Sequence, residues 1–385
     1  MTKWCMVAVA AMGLTGCDSV FGSDDDGDAG GGAVFTMNNA AAANYVIVFD
    51  RAEDGGLARA DSIATGGRGS GPHPVFGTDP LESQDAVILS DDNRFLFVVD
   101  AGSNEVTSFR VREGGSLTRV SRVGSGGQMP VSLTHRGNLL YVVNAMGGGT
   151  ISGFRVGSDG TLTPIANSTR PLSGAAMPGP GSIRISPNGQ LLVVTEKPTN
   201  LLVVYPLGAD GLPGTRVVIA APGPTPFGAD FDASGRYILS EGNVGPMRMA
   251  VPDGSSASSA TLTGTGISVI TDSSPTTETA ACWVQITPDG RYAYTTNTGS
   301  GSITGFSIGT SGGLTRLTPD GKTGTTPPMS QPLDMAMADG YLYALTSGDG
   351  GIHAFRVNAD GSLTPQPAAG VTGVLPISVT GLAAY

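Results

Sequence analysis

The sequence predicts an all-β fold, a seven-bladed β-propeller with four-stranded blades whose ring is closed by the C-terminal strand pairing into the N-terminal blade. Two observations predict the blades. One phrase recurs seven times, a short apolar strand ending in a polar residue, a small-residue turn and a second apolar strand; and the spacing of the copies, roughly 45 to 60 residues, suits one four-stranded sheet that buries its faces against its neighbours. A third observation predicts the closure: the first copy lacks a leading strand, and a spare strand stands at the far end.

The second strands of the blades end at Asn38 (VFTMN), Asp100 (LFVVD), Asn144 (LYVVN), Glu196 (LVVTE), Glu241 (YILSE), Asn297 (AYTTN) and Thr346 (LYALT). The answering third strands read YVIVFD, EVTSFRV, TISGFRV, LLVVYPL, PMRMAVP, SITGFSI and GIHAFRV. Asn188-Gly189, Asp289-Gly290 and Asp339-Gly340, with Gly137 and Gly235 in the corresponding places, mark tight hairpin turns between strands one and two. Gly-x-Leu-Thr-like turns at Gly115, Gly160, Gly313 and Gly361 introduce the fourth strands. Residues 377–385 (ISVTGLAAY) resemble the first strands of other blades and are expected to pair beside Val34 to Asn38, which removes an open sheet edge. The Ser/Thr-rich stretch from Asp253 to Thr279 is expected to be an excursion from the fifth repeat facing a partner.

Composition agrees and excludes some partners. The 59 Gly, 26 Pro and 14% charged residues suit many tight turns and no long helices. A net charge of -11 without a Lys/Arg cluster argues against nucleic acid. Three cysteines make no disulfide framework.

Residues 1–17 read as a lipoprotein signal peptide. Lys3 precedes an apolar run too short to span a bilayer, and Leu14-Thr15-Gly16-Cys17 resembles a bacterial lipobox that would leave Cys17 lipidated. Residues 18–32 form an acidic, Gly-rich tether, and residues 33–385 the ring. Asp24, Asp26 and Asp28 alternate as calcium ligands do, but no downstream Glu completes a loop. The expected location is the cell envelope, periplasm or cell surface, with the membrane as partner through Cys17 and the protein a monomer.

Strand-two ends and strand-one starts share one rim, so the polar ring Asn38, Asp100, Asn144, Glu196, Glu241, Asn297 and Thr346 surrounds the same mouth as Pro130, Pro180, Pro226, Cys282-Trp283, Pro332 and Pro376. Asn, Asp and Thr also open turns well, which explains most of the ring without function. Glu does so less readily. Asp100, Glu196 and Glu241 around one mouth would raise each other's pKa or recruit a divalent cation; otherwise no cofactor is called for. Trp283 is a candidate stacking platform, Asn144 and Asn297 are candidate ligand contacts, and His73 is the histidine whose loop reaches the mouth. His135 and His353 fall on structural positions, and Cys282 lacks a cation to activate it.

The Asp/Asn-Gly-x-Leu/Tyr-x-Tyr/Val-Val-x-Asn phrase, the Phe-Arg-Val third strand and the Asp-Gly-x-Leu-Thr turn resemble the lactonase family of seven-bladed propellers, over about nine-tenths of the chain. That family includes 6-phosphogluconolactonases and carboxymuconate-cyclising enzymes. The resemblance implies Pro-x-His and Pro-Arg-His at strand-one starts, with a Glu closing the next strand two. Here the triplets are Pro130-Val131-Ser132 and Pro180-Gly181-Ser182, so both His and the Arg are lost and Glu196 alone matches. The expectation is therefore a lipid-anchored binding or scaffold propeller with a small-molecule or protein ligand at the rim. The alternative is a divergent lactone hydrolase in which Glu196 or Glu241 is the base and Arg184 the electrophilic partner.

Overall fold

The computed structural model describes residues 31–385 except Phe76 and residues 246–248. Seven antiparallel sheets follow one another around a ring, with a single three-residue 3-10 turn, Glu113–Gly115, as helical structure among the described residues. The innermost strands pack side by side around the channel: Val87–Leu89, Gln128–Arg136, Pro180–Ile185, Pro226–Phe231, Ala281–Ile286, Pro332–Ala338 and Thr380–Ala384.

Sequence dictates which strand goes where in a blade. The second strands are unbroken apolar runs because both of their faces are covered; every residue of Phe95–Asp100 is buried. The outermost strand of the first blade, Leu57–Ala64, carries Arg59, Asp61 and Ser62 and is almost wholly exposed. Each fully buried Val, Leu or Phe in the middle strands contributes about 1.5–3 kcal/mol relative to exposure.

Adjacent blades are stitched by the turns that lead into the fourth strands. A hydroxyl from one blade donates to a turn-glycine carbonyl of the next: Ser108 to Gly160 at 2.7 Å, Tyr141 to Gly211, Ser259 to Gly312 at 2.7 Å, Tyr294 to Gly361 at 2.7 Å and, across the closure, Tyr343 to Gly55 at 2.9 Å. Those five glycines all have φ between +72° and +92°, so the carbonyl is presented by a backbone shape that a side chain would strain.

Closure follows the expected route. Thr380–Ala384 pairs antiparallel with Gly32–Met37, giving the first blade its inner strand from the far end of the chain. Arg51, buried, donates to the Tyr385 carbonyl at 3.0 Å and pairs with Asp339 in the last blade.

The fifth blade corrects the sequence reading. Its third strand is Ser256–Thr263 and its fourth Gly266–Pro275, so most of the Asp253–Thr279 stretch is built into the sheet and is no excursion. PMRMAVP lies in the connection before the third strand, where Val244 and Ala250 form one bridge; residues 246–248 fall outside the described residues. Polar Ser and Thr side chains fill that strand because Ser256 and Ser258 bond Glu241 instead of packing as aliphatics. The signal segment, Cys17 and the aspartates of the tether also lie outside the described residues.

Candidate functional site

The polar ring at the strand-two ends does not open onto the channel mouth. Asp100, Asn144, Glu196, Glu241, Asn297 and Thr346 are all fully buried. Asp100 accepts bonds from Asn44 Nδ2 (2.9 Å), Thr65 Oγ1 (2.5 Å) and Thr107 Oγ1 (2.6 Å). Glu196 accepts from the Ser173 amide and hydroxyl (2.8 and 2.7 Å) and from Thr199 Oγ1 (2.9 Å). Glu241 is held by Ser256 and Ser258. Asn144 donates to Thr150 Oγ1 at 3.3 Å, and Asn297 to Ser302 and Thr304 at 3.0 and 2.9 Å. Burial raises the carboxyl pKa of Asp100 and Glu241, partly offset by these hydroxyls, and the nearest like charges are local, Glu105 for the first and Asp272 for the second. The three carboxylates share no partner. Each pins the loop around its own strand end.

Arg184 lies inside the channel, paired with Asp85 and with Asp230 (Nε to Oδ1, 3.3 Å). Asp334 stands across the channel and accepts the Asp85 amide at 3.0 Å. Burial pushes the Asp230 and Asp334 carboxyls up while Arg184 pulls them down. This arginine is thus the counter-charge of a buried acid cluster. Trp283 is also buried, its indole NH donating to the Ser83 carbonyl at 3.0 Å and its ring 4.8 Å from Phe227, so it offers no stacking face. Burial raises the Cys282 thiol well above its ordinary range.

What fills the channel is the connection between the first blade's outer strand and the second blade's inner one. Ser83 Oγ donates to Val131 O (2.8 Å), Gln84 N to Gly181 O (2.8 Å) and Gln84 Nε2 to Val284 O (2.9 Å), while Val284 N donates back to Gln84 Oε1 (2.9 Å). With Leu133 N on Asp85 O (3.0 Å), one short segment bonds inner strands of the third, fourth and sixth blades, and Asp85 N reaches Asp334 in the seventh. Gly228 makes room for it: a Cβ there would stand 2.2 Å from Gln84 Oε1.

This plug carries polar groups to the mouth. Asp79 Oδ1 accepts the Glu82 amide at 3.0 Å, Glu82 lies 3.4 Å from His73 Nε2 and 3.6 Å from Lys197 Nζ, and Lys197 also donates to the Glu82 carbonyl. The Lys197 ammonium sits 4.7 Å from the Phe227 ring centre. His73 Nδ1 accepts the Val75 amide at 3.2 Å, which leaves its proton on Nε2, facing Glu82. Asp79 is raised to about 7, first by burial and then by Glu82 beside it. A carboxyl near neutrality, an ammonium and an imidazole on one partly exposed mouth can move a proton and hold an anion.

Of the residues singled out from sequence, His73 reaches this mouth. Asp79, Glu82 and Lys197 were missed. Two signals point to them: the length of the connection, residues 65–86, and Lys197 as the one cation directly following a strand-two end.

Comparisons with known proteins agree with this architecture. A family model described as "Lactonase, 7-bladed beta-propeller" matches residues 27–243, more than half of the chain. The 6-phosphogluconolactonase of Serratia proteamaculans (strain 568) is 23% identical over 177 residues, 44% of this chain and 53% of that protein, so the match spans about half the length of that curated relative. The structure of PpgL, the periplasmic gluconolactonase of Pseudomonas aeruginosa, superimposes with a TM-score of 0.67 at 17% identity, covering 92% of this chain and 98% of that one. A Bacteroides uniformis protein, which carries 6-phosphogluconolactonase as a proposed assignment, gives 0.68 at 18% identity, covering 91% and 99%. At these identities the structures speak for the fold, and the family match joins them to the repeat and the closed ring: the chain belongs to the lactonase family of seven-bladed β-propellers.

Proposed function

We propose that this propeller hydrolyses uncharged lactones at the channel mouth, with Asp79 as general base and Lys197 as the electrophilic partner. The observation that carries the reading is the convergence of Asp79, Glu82, His73 and Lys197 on the plug and the neighbouring strand end. The Asp79 carboxylate takes a proton from water as the oxygen attacks the lactone carbonyl carbon. The oxyanion forms beside the Lys197 ammonium, the ring C–O bond breaks, and Asp79 returns the proton to the leaving oxygen, giving a hydroxy acid. Glu82 orients Lys197, and His73 orients Glu82 in turn.

Charge supports an uncharged substrate. Both permanent cations near the plug are already paired with carboxylates, Lys197 with Glu82 and Arg184 with Asp85 and Asp230, which leaves less positive charge for a phosphoryl group. The name of the Pseudomonas relative, a periplasmic gluconolactonase, is in keeping with this class and with export. Export with lipidation at Cys17 is part of the proposal, supported by the Leu14-Thr15-Gly16-Cys17 sequence. The strand Gly32–Met37 begins on the rim opposite the mouth and ends on the mouth rim.

The test is turnover of a lactone panel by the parent, Asp79→Asn and Glu196→Gln proteins. The reading requires loss of about 10²-fold or more in kcat/KM for Asp79→Asn, with Glu196→Gln near the parent. No turnover by the parent returns the chain to a binding or scaffold propeller; loss only in Glu196→Gln moves the base back to the strand end.

A further inference from the structure

A second opening lies on the outer wall of the ring, between the third and fourth blades, and the fourth blade makes it by interrupting its outer strand. In the third, sixth and seventh blades that strand begins at the leucine of the preceding turn, as Leu162–Pro164, Leu314–Arg316 and Leu363–Pro365. In the fourth blade the corresponding Leu212 is followed by Pro213-Gly214, and the strand begins at Val217. Between the pairs Leu207–Pro213 and Val204–Val217, two residues of one strand face three of the other. The extra residue makes a bulge, which turns the chain and re-aims its side chains. Arg216, on the bulge, reaches across to the short edge strand Arg170–Pro171 of the third blade.

The groove this leaves, of about 640 Å³, is lined by Arg170 and Pro171 of one blade and by Tyr205 and the bulge Pro213 to Arg216 of the next. Bonds across it join the two walls. Arg216 donates from Nη1 to the Pro171 carbonyl at 3.1 Å and from Nη2 to the Ser173 carbonyl at 3.2 Å, and the Tyr205 hydroxyl donates to the Pro171 carbonyl as well. Both guanidiniums act on that hydroxyl, lowering a pKa that burial raises, so their charges overlap there.

Neither charge is cancelled within the groove. Every side-chain bond of Arg170 and Arg216 among the described residues goes to a backbone carbonyl, and no carboxylate lines the walls. The carboxylate whose charge reaches Tyr205 is Glu196, which is fully buried and already holds Ser173 and Thr199. At the mouth, by contrast, Lys197 and Arg184 are paired with acids. Two arginines left without acids in a chain of net charge -11 mark a place for an anion.

A guanidinium presents a planar fork of donors that matches a carboxylate or a phosphate. The volume exceeds what an inorganic ion needs and falls in the range of small-molecule sites, and Pro171 and Pro213 add uncharged walls. We infer that this groove binds a small organic anion, its carboxylate or phosphate held by Arg170 and Arg216 and its body against Pro171 and Pro213. The site is separate from the groups of the mouth and stands whether or not the mouth hydrolyses a lactone.

The experiment is calorimetric titration of the full-length protein with benzoate, phenyl phosphate and benzyl alcohol, three probes that share a ring and differ in the head group. At least one anion should bind, about tenfold or more tightly than the alcohol, and the tighter of the two names the head group. Its Kd should rise about tenfold or more in Arg170→Gln and in Arg216→Gln and stay near the parent value in Lys197→Met. Arg216 also ties the blades together, so Arg170→Gln, whose lost bonds lie within its own turn at Asn167 and Thr169, decides if the other variant folds poorly. Binding by neither anion, equal binding of the alcohol, or an unchanged Kd in Arg170→Gln overturns the inference. Binding lost in Lys197→Met overturns it too, by moving the anion to the mouth.

Discussion

Two sets of carboxylates in this ring look alike in composition and differ in everything that decides chemistry. Asp100, Glu196 and Glu241 come from the repeat, sit at equivalent strand ends and are fully buried among hydroxyl donors of their surroundings. Asp79 and Glu82 come from a connection outside the repeat, stand partly exposed and lie close to an ammonium and an imidazole. The repeat position is under the same packing demand in every blade, so its polar residue closes a turn. The connection is under no such demand and can place a carboxyl where burial first, and the Glu82 charge second, raise the Asp79 pKa to about 7.

The sharpest way to break this contrast is to remove the cation. Lys197→Met should lower kcat/KM by about 10²-fold with little change in melting temperature, measured by steady-state kinetics and calorimetry on the same preparation. Equal losses of activity and stability would make Lys197 a packing residue. On the other side, Asp100→Ala leaves Asn44, Thr65 and Thr107 without their acceptor. Stability should fall by about 3 kcal/mol in urea unfolding, with activity per folded molecule unchanged.

Gly228→Ala probes the bridge between the two regions, since its Cβ would collide with Gln84 Oε1 and the Cys282 carbonyl. It should destabilise by about 1–3 kcal/mol and lower activity as well, because the plug carries the mouth groups. A loss of stability alone would uncouple plug from site.

The remaining contrast is in the pH dependence of stability. Asp79 titrates near 3.8 when unfolded and about 7 in the ring, so the folded state holds a proton the unfolded chain has lost between those values. Its contribution is full below about pH 4 and is lost as pH rises through about 7, where the base becomes active and kcat/KM should rise. Urea midpoints from pH 4 to 8 should fall less steeply in Asp79→Asn than in the parent; parallel curves would place the carboxyl back at an ordinary pKa.

The ring was legible because its period is covalent. Apolar runs such as Phe95–Asp100 and Leu191–Glu196 announce strands buried on both faces, and the spare strand at 377–385 could go nowhere but beside Gly32–Met37. The fifth blade was misread because its third strand, Ser256–Thr263, trades aliphatic residues for hydroxyls that bind Glu241, and hydrophobic pattern cannot register that exchange. The site was hidden for a related reason: Lys197 is far in the chain from Asp79 and Glu82, and no local pattern announces that it meets them.

The sequence by itself determined seven blades, their strand order and the closure, since each follows from local periodicity and from edges that must be paired. Only the tertiary structure decided which carboxylates are buried among hydroxyls and which stand at the mouth, because burial, hydroxyl partners and the plug threaded through the channel depend on residues brought together by the ring and not by the chain.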